Sequence, residues 1–238
     1  MSGTVVLVTG ASRGIGSRLA AGLASQGHVV VGIARSAIDE WDLNAEAKID
    51  RRVCDITDES AVRRLFSDIR KQYGRLDVLI NNAGAFSGDL LLTASADRFM
   101  SVMRTNLAGA HTMTKEATKL MRPQGRGRVV SVTSIATSVP LVGNALYASA
   151  KSALERLMSS FALEFRGSGI TFNSVGVSFV DSTGMVDALK PQVREQYEQR
   201  LLVPRALDMS EILGTIDYLC SDSAATVTGQ VIALGSPI

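Results

Sequence analysis

Tyr147 and Lys151 lie four residues apart in the stretch Y-A-S-A-K, where the apolar run at 128–133 has given way to a helical pattern. Residues i and i+4 share one face of a helix, so the phenol and the ammonium would be neighbours. An unperturbed tyrosine, with a pKa of about 10, is too weak an acid for proton transfer near neutral pH. A neighbouring cation lowers that pKa and favours a catalytic Tyr147. The alternative is a half-buried helical tyrosine beside a solvated lysine.

A glycine-rich segment, T-G-A-S-R-G-I-G, occupies residues 9–16 directly after the first predicted strand. It places Gly10, Gly14 and Gly16 at a turn and at the start of a helix predicted to span 15–26. Such turns let backbone amides and a helix N-terminus approach a phosphate group closely. The segment therefore predicts a phosphate-binding turn, although glycines also serve simply to make tight turns.

The end of the second predicted strand carries Arg35 and no acidic residue at positions 34–36. In dinucleotide-binding folds an acidic residue at this place binds the adenosine ribose, whereas an arginine accommodates a 2′-phosphate. Arg13 lies close by in the glycine turn. These two arginines favour NADP over NAD, and the alternative is that both are merely solvated.

The elements that would position these residues alternate between short apolar strands and amphipathic helices. This alternation predicts right-handed βαβ units and one Rossmann-like, doubly wound parallel sheet of about seven strands in the order 3-2-1-4-5-6-7, with helices on both faces. We expect a single α/β domain over residues 1–238. The strands are predicted at 4–9, 28–34, 52–56, 76–80, 128–133, 169–176 and 230–234, and the main helices at 15–26, 58–73, 96–122, 209–220 and from the Tyr147 region to about Phe165.

Several polar residues follow these predicted strands directly. Asp55, the N-N-A-G turn at 81–84 and Ser134 all fall at carboxyl ends of strands, as the glycine turn does. Ligands of open parallel sheets bind outside these ends. The convergence of four such features predicts a ligand site at this edge of the sheet.

Asn106 is the odd polar residue in the middle of the long helix predicted at 96–122. Two interpretations stay open: a satisfied core amide, or a local interruption of the helix that holds a water molecule. The apolar stripe on this helix is typical of core or of a subunit interface. It consists of Phe99, Met103, Leu107, Ala110 and Met113.

Composition excludes several classes of function. The net charge of +2 gives no reason to expect nucleic acid or a membrane surface as a partner. Cys54 and Cys220 are far apart and lie in apolar contexts, which is typical of reduced thiols inside the cell. The chain enters its first strand without a basic leader, so we expect a cytoplasmic protein without a secretory signal. We predict no metal site.

With these pieces in place, the chain resembles the short-chain dehydrogenase/reductase family over nearly its whole length. The resemblance is specific because separate motifs follow one another at the family's spacing. They are T-G-A-S-R-G-I-G at 9–16, C-D at 54–55, N-N-A-G at 81–84, N-L-A-G at 106–109, Ser134, and Y-A-S-A-K at 147–151.

The resemblance implies a catalytic tetrad of Asn106, Ser134, Tyr147 and Lys151. Tyr147 would protonate a carbonyl oxygen while hydride passes from the nicotinamide, and Ser134 would hydrogen-bond that oxygen. Lys151 would lower the pKa of the tyrosine and bind the nicotinamide ribose. Asn106 would position a water molecule in a proton relay to Lys151.

The resemblance also implies NADP(H) as the cofactor, with Asp55 facing the adenine. The implied contacts are Gly10, Ser12, Arg13, Gly14, Ile15, Gly16, Arg35, Asp55, Ile56, Asn82, Ala83, Gly84, Tyr147, Lys151 and Ser182. Two segments depart from the family pattern. Val177 and Ser178 replace the usual Pro-Gly, with Ser182 aligned to the usual Thr and Thr183 beside it, and the C-terminus reads L-G-S-P-I at 234–238.

Within the family the chain looks most like the beta-ketoacyl-acyl-carrier-protein reductases. The resemblance therefore implies an NADPH-dependent reductase of ketones, with a 3-oxoacyl thioester of fatty acid or polyketide metabolism as the candidate substrate. A small-molecule or carrier-linked carbonyl compound would then be its partner, and a homotetramer or dimer its assembly. The alternatives are a weakly catalytic or non-catalytic NADP-binding partner subunit or sensor, and a reductase for another carbonyl compound of secondary metabolism.

Overall fold

A seven-stranded parallel sheet organises the protein, with strand order β3-β2-β1-β4-β5-β6-β7. The computed structural model describes residues 3–37, 48–180, 194–195 and 198–236. All neighbouring strands in this part of the chain run parallel. The predicted fold class and strand order are confirmed.

The bounds of the main elements agree with most of the predicted ones to within a few residues. The strands are β1 Val5–Thr9, β2 Val29–Ala34, β3 Ile49–Val53, β4 Val78–Asn81, β5 Gly127–Ser134, β6 Ile170–Val177 and β7 Val231–Ala233. The helices are α1 Gly14–Ser25, α2 Glu59–Tyr73, α3 Ala96–Met103, α4 Ala110–Met121, α5 Ala145–Glu164 and α6 Met209–Cys220.

The sheet is buried on both faces, and strand β1 shows how. Its side chains alternate, so that Val5 and Leu7 enter one core while Val6 and Val8 enter the other. The first core lies under α2, α4 and α5, and the second lies under α1 and α6. Because both faces are covered, the central strands are continuous apolar runs, and this is the pattern that predicted them.

The third strand was predicted wrongly at 52–56 and lies three residues earlier. It is an edge strand whose last residue, Val53, is 58% exposed. Asp50 accepts hydrogen bonds from Arg52 and from the Tyr73 hydroxyl, so polar pairs line its surface. The apolar signal came instead from Cys54 and Ile56, which pack into the core just beyond the strand.

The long helix predicted at 96–122 is three consecutive segments. A six-residue π-helical segment, Arg104–Gly109, separates α3 from α4. Its sequence carries no proline and its backbone continues the helix, so spacing alone could not reveal it. The segment has Asn106 at its centre. Such π-turns are frequent at functional sites.

Two smaller expectations concern a helix end and the cysteines. Helix α2 ends at residue 73 as predicted, and Gly74 follows it in the left-handed conformation, at φ 71°. Cys54 and Cys220 are both free thiols in the core. Across the described ranges, no helix combines the length and the apolar character that crossing a bilayer requires.

Candidate active site

Ser134 is the last residue of β5 and lies at the carboxyl edge of the sheet, as predicted. Its backbone is extended, with φ −149° and ψ 149°, and its Oγ accepts a hydrogen bond from the amide of Ala136 at 3.1 Å. The chain then turns through a single 3-10 turn, held by a bond from the Thr137 hydroxyl to the Ser134 carbonyl at 2.9 Å. A hydroxyl that accepts a bond retains its own proton for donation.

Tyr147 and Lys151 lie in the first turns of α5, on one face of the helix. Lys151 Nζ is 5.7 Å from the centre of the Tyr147 ring. Lys151 is only 3% exposed, and its Nζ donates to the carbonyl of Val132 at 2.8 Å. Burial lowers the pKa of Lys151 to about 8. The solvated-lysine alternative is therefore wrong, although Tyr147 is half-buried.

Asn106 is fully buried at the centre of the π-helical segment, and its side-chain amide is hydrogen-bonded at both Nδ2 protons and once at Oδ1. Its Nδ2 donates to the carbonyls of Ala85 at 2.9 Å and Val102 at 3.0 Å, and its Oδ1 accepts from the amide of Ala85 at 3.3 Å. The side chain thereby ties the segment to the loop after β4. Both interpretations of Asn106 hold in part, since the amide is satisfied and the helix is locally interrupted.

Gly84 shows that three of the predicted residues meet. A Cβ atom added to it would lie 2.7 Å from Asn106 Oδ1 and 3.5 Å from Lys151 Nζ. The absence of a side chain at Gly84 thus lets the N-N-A-G turn pack between the π segment and α5. The fold therefore brings Asn106, Lys151 and Gly84 together from three separate stretches of sequence.

The glycine turn packs directly against the N-N-A-G turn. A Cβ atom on Gly16 would lie 2.2 Å from the carbonyl oxygen of Gly10 and 2.4 Å from Asn82 Nδ2. Gly10 and Gly14 have positive φ angles of 68° and 61°. Asn82 Nδ2 donates to the carbonyls of Thr9 and Gly10 at 2.9 Å and 3.2 Å. These contacts leave glycine as the only residue that fits here.

Thr9 opens the glycine-rich segment, but the sequence analysis did not count it among the site residues. Its Oγ1 accepts hydrogen bonds from the amides of Asn82 and Ala83, both at 2.9 Å. The hydroxyl therefore joins the first strand end to the fourth. The only signal in the sequence was a polar residue closing an otherwise apolar strand.

The start of α1 meets the requirements of a phosphate site. Arg13 is the N-cap residue, its side chain makes no capping hydrogen bond, and the first turn of the helix contains no acidic residue. A helix N-terminus carries partial positive charge and attracts anions. Ser12 and Ile15 are half-buried within this turn.

Arg13 and Arg35 are both exposed at the carboxyl ends of the adjacent strands β1 and β2. Asp55 is half-buried two residues beyond β3, where its Oδ1 accepts from the amide and hydroxyl of Thr57 at 2.9 Å and 2.8 Å. Ile56 is a core residue, packed so closely on Gly109 that a Cβ there would lie 2.7 Å from it. The predicted nucleotide-binding positions thus line one edge of the sheet.

Phe86 is a second residue that the sequence analysis missed. Its ring meets that of Tyr147 edge to face, with the centres 5.5 Å apart, and it is partly exposed. Further exposed apolar side chains lie on neighbouring loops. They are Leu90, Leu91, Leu92, Val142, Leu202 and Val203.

The two departures from the family pattern form one contact. A Cβ atom on Gly235, which has φ 83°, would lie 2.7 Å from Ser178 Oγ. Gly235 and Ser236 accept backbone hydrogen bonds from Val203 and Leu202. These hydrogen bonds, with one from the Leu234 amide to the Gly176 carbonyl, hold the C-terminal segment beside the end of β6. Ser182 and Thr183 lie outside the described residues.

These features together fit a dinucleotide with a nicotinamide. The glycine cradle and the open start of α1 suit a pyrophosphate, and the buried Lys151 suits hydroxyl groups near Tyr147. A single Cβ atom at Gly16 would fill the space between the glycine turn and Asn82.

Comparison with known proteins agrees with the geometry. The family model described as short chain dehydrogenase matches residues 4–194. The 3-oxoacyl-[acyl-carrier-protein] reductase FabG of Escherichia coli strain K12 is 32% identical over 235 residues, which cover 97% of this chain and 95% of the relative. The FabG protein of Staphylococcus aureus strain Mu50 is also 32% identical, over 241 residues, with 95% and 94% covered.

Two solved structures are similar throughout. A putative gluconate dehydrogenase from Agrobacterium tumefaciens has a TM-score of 0.91 at 28% identity, with 98% of this chain and 95% of that chain covered. A short-chain type dehydrogenase/reductase from Mycobacterium ulcerans has a TM-score of 0.88 at 27% identity, with 98% and 90% covered.

Proposed function

The chain belongs to the short-chain dehydrogenase/reductase family of oxidoreductases, and we propose that it reduces a ketone to a secondary alcohol with NADPH. The observation that carries this proposal is the meeting of Asn106, Lys151 and Gly84 beside Tyr147. A buried ammonium next to a phenol is arranged for proton transfer.

In this reaction Tyr147 donates its phenolic proton to the carbonyl oxygen of the substrate. The Lys151 ammonium stabilises the phenolate that remains, and burial strengthens this interaction because water screens it less than at the surface. The Ser134 hydroxyl donates a hydrogen bond to the same oxygen, where negative charge develops. Asn106 holds the π-helical segment and positions a water molecule that returns a proton through Lys151. The bound nicotinamide supplies the hydride.

NADP(H) is the cofactor we propose. Arg13 and Arg35 lie on adjacent strand ends, and no acidic residue stands at positions 34–36 to bind a ribose 2′-hydroxyl. The remaining contacts follow the predicted set, with Ser12, Gly14 and Ile15 on the pyrophosphate and Asp55, Ile56, Asn82, Ala83 and Gly84 along the nucleotide. Ser182 completes the proposal at the nicotinamide end.

The substrate we propose is a 3-oxoacyl thioester, free or bound to a carrier protein. The FabG relatives support it, and so do the exposed apolar side chains on the Phe86 loop and its neighbouring loops, since an acyl chain buries apolar surface. These side chains belong to loops that touch one another. Arg200 Nη1 donates to the carbonyl of Pro140 at 3.1 Å, and Gly143 abuts Gly88.

The Ser178 and Gly235 contact favours a second candidate. It alters the region where the family holds the nicotinamide amide, and this supports a weakly catalytic NADP-binding partner subunit or sensor. A reductase for another carbonyl compound of secondary metabolism is compatible with the same contact, because the C-terminal segment borders the substrate side.

A homotetramer, or a dimer, completes the proposal. It is supported by an open groove of about 430 Å³ on the outer face of α5 and the neighbouring π segment, lined by Leu107, Ala108, His111, Ala153, Arg156, Leu157 and Ser160. Small side chains such as Ala153 allow a second copy to approach closely. We also propose a cytoplasmic location, which the two free, buried thiols support.

Steady-state kinetics test the proposal with NADPH or NADH and a panel of 3-oxoacyl thioesters and simple ketones. We expect turnover with NADPH, and a fall in kcat of about 10²- to 10⁴-fold for Tyr147→Phe. Tyr218→Phe, at an exposed tyrosine of α6, is the matched control and should change nothing. Tight NADPH binding without turnover would instead favour the partner-subunit candidate.

A further inference from the structure

Helix α5 carries a third ionisable residue on the face of Tyr147 and Lys151. Glu155 follows Lys151 by four residues, so the three side chains form a row at i, i+4 and i+8. The row begins at the mouth of the site with Tyr147 and runs inward along the end of β5. Glu155 belongs to none of the motifs that predicted the site.

The carboxyl group of Glu155 is held in an enclosed place. Its Oε1 is buried and completes no hydrogen bond of normal geometry, and the same is true of Thr133 Oγ1. The hydroxyls of Thr133 and Thr137 nevertheless lie near enough to act on it. Burial raises the pKa of Glu155, while these hydroxyls and the charge of Lys151 oppose the rise.

Lys151 is short of partners for a buried cation. Its ammonium has three protons to donate, and the described residues provide one acceptor, Val132 O, and no ion pair within 4 Å. Burial dominates the lowering of its pKa, and the one charge that opposes it is that of Glu155. A buried charge without compensation is costly, so this distant carboxylate matters more than it would in water.

Apart from Tyr147 itself, Glu155 is the ionisable group of the described structure whose charge acts on Lys151. Strands β5 and β6, which pack against α5, carry neutral buried side chains on the face toward this helix, among them Thr133 and Ser174, which share that face with Val129 and Phe172. The charged residues of α3 and the π segment point to solvent. They are Asp97, Arg98 and Arg104.

We propose that Glu155 is a positioning residue that keeps the Lys151 ammonium charged and held at the end of β5. The proposal deepens the function given above and rests on it for its catalytic meaning. The carboxylate of Glu155, one turn further along the helix, stabilises the buried Lys151 ammonium. The single acceptor Val132 O stabilises this charge only weakly by itself.

The direct test measures the pKa of Lys151 in cofactor-free protein by NMR of ¹³Cε-labelled lysine, assigned by the signal missing in Lys151→Arg. In Glu155→Gln, which keeps the shape and removes the charge, we expect the pKa of Lys151 to fall below about 8 by about one unit. Glu164→Gln removes the same charge from an exposed site on α5 and should leave it unchanged. An unchanged pKa in folded Glu155→Gln overturns the proposal.

If Glu155→Gln does not fold, Glu155→Asp replaces it. We then expect a smaller fall in the pKa of Lys151, because the carboxylate lies one methylene farther from the ammonium. A pH profile of ketone reduction provides the second readout. The alkaline limb should move to lower pH by about one unit, reported as a property of the coupled Tyr147 and Lys151 pair. A merely structural Glu155 would lower the melting temperature without moving this limb.

The two measurements separate the two proposals. A shifted pKa of Lys151 in a protein that reduces no ketone would leave the role of Glu155 standing and refute the proposed function. Turnover of a ketone with an unshifted pKa would do the reverse.

Discussion

Strand β5 has a buried cation near each end, and the two cations differ in the number of hydrogen-bond acceptors around them. Arg128 at the amino end is 4% exposed, and its guanidinium donates to the carbonyls of Gly127 at 3.0 Å, Gly169 at 3.3 Å and Ser221 at 3.4 Å. The carboxylate oxygen Oδ1 of Asp222 is 3.8 Å from Arg128 Nη2. Lys151 at the carboxyl end, equally buried, has the single acceptor Val132 O among the described residues.

The difference separates structural from functional burial of charge. Burial lowers the pKa of both groups, but a guanidinium stays charged at any pH a protein tolerates. Arg128 therefore serves to join three chain segments at one edge of the sheet. The pKa of Lys151, at about 8, lies near the working range, so its proton is exchangeable. An incompletely satisfied cation is the one suited to proton transfer.

The largest expected effect comes from removing the cation at the carboxyl end. Lys151→Met should lower kcat for ketone reduction by about 10³-fold, because the Tyr147 phenolate loses its stabilising charge. The free energy of unfolding at pH 7 should not fall, since a poorly compensated buried charge is replaced by an apolar side chain of similar length. Lys71→Met, at an exposed lysine of α2, is the control. A variant with normal kcat would contradict the assignment.

Removing the cation at the amino end should lower stability and leave kcat unchanged. Arg128→Leu should lower the free energy of unfolding by about 3 to 5 kcal/mol, because the carbonyls of Gly127, Gly169 and Ser221 lose their charged donor. The remaining folded fraction should keep its kcat, since no site residue touches Arg128. Denaturant unfolding checks the first expectation and active-site titration the second. Arg126→Leu, at a partly exposed pair with Asp222, should change the free energy far less.

A smaller effect should appear in the pH dependence of stability. The folded pKa of Lys151, about 8, is below its ordinary value of 10.5, so between these values the unfolded state binds more protons. The contribution of Lys151 to stability therefore rises with pH across this window and is least favourable below pH 8.

We expect the difference in the free energy of unfolding, wild type minus Lys151→Met, to rise by about 3 kcal/mol from pH 8 to 10.5. Taking the difference cancels the thiols Cys54 and Cys220, whose pKa values burial raises to about 11 and about 12. These groups alone would make stability fall as the pH rises above 9. A difference that stays flat would mean that Lys151 is solvated.

The local sequence pattern predicted most of the fold and which residues lie at the carboxyl ends of the strands. The central strands were predictable because burial on both faces makes them apolar throughout. Strand β3 was misplaced because, at the edge of the sheet, its residues are only partly buried and two of them, Asp50 and Arg52, form an ion pair. The π segment was predicted only as one of two interpretations of Asn106, since its stabilising contacts to Ala85 come from a residue 21 positions away.

The sequence by itself determined the parallel sheet, the glycine turn and the spacing of Tyr147 and Lys151, all of which depend on neighbours along one strand or helix. Only the tertiary structure decided that Lys151 is buried with a single acceptor while Arg128 donates to three carbonyls. It also decided that Gly84 fits between Asn106 and Lys151, and that Glu155 faces inward. Burial and pairing depend on which distant segments pack together, and the protonation of Lys151 follows from that packing.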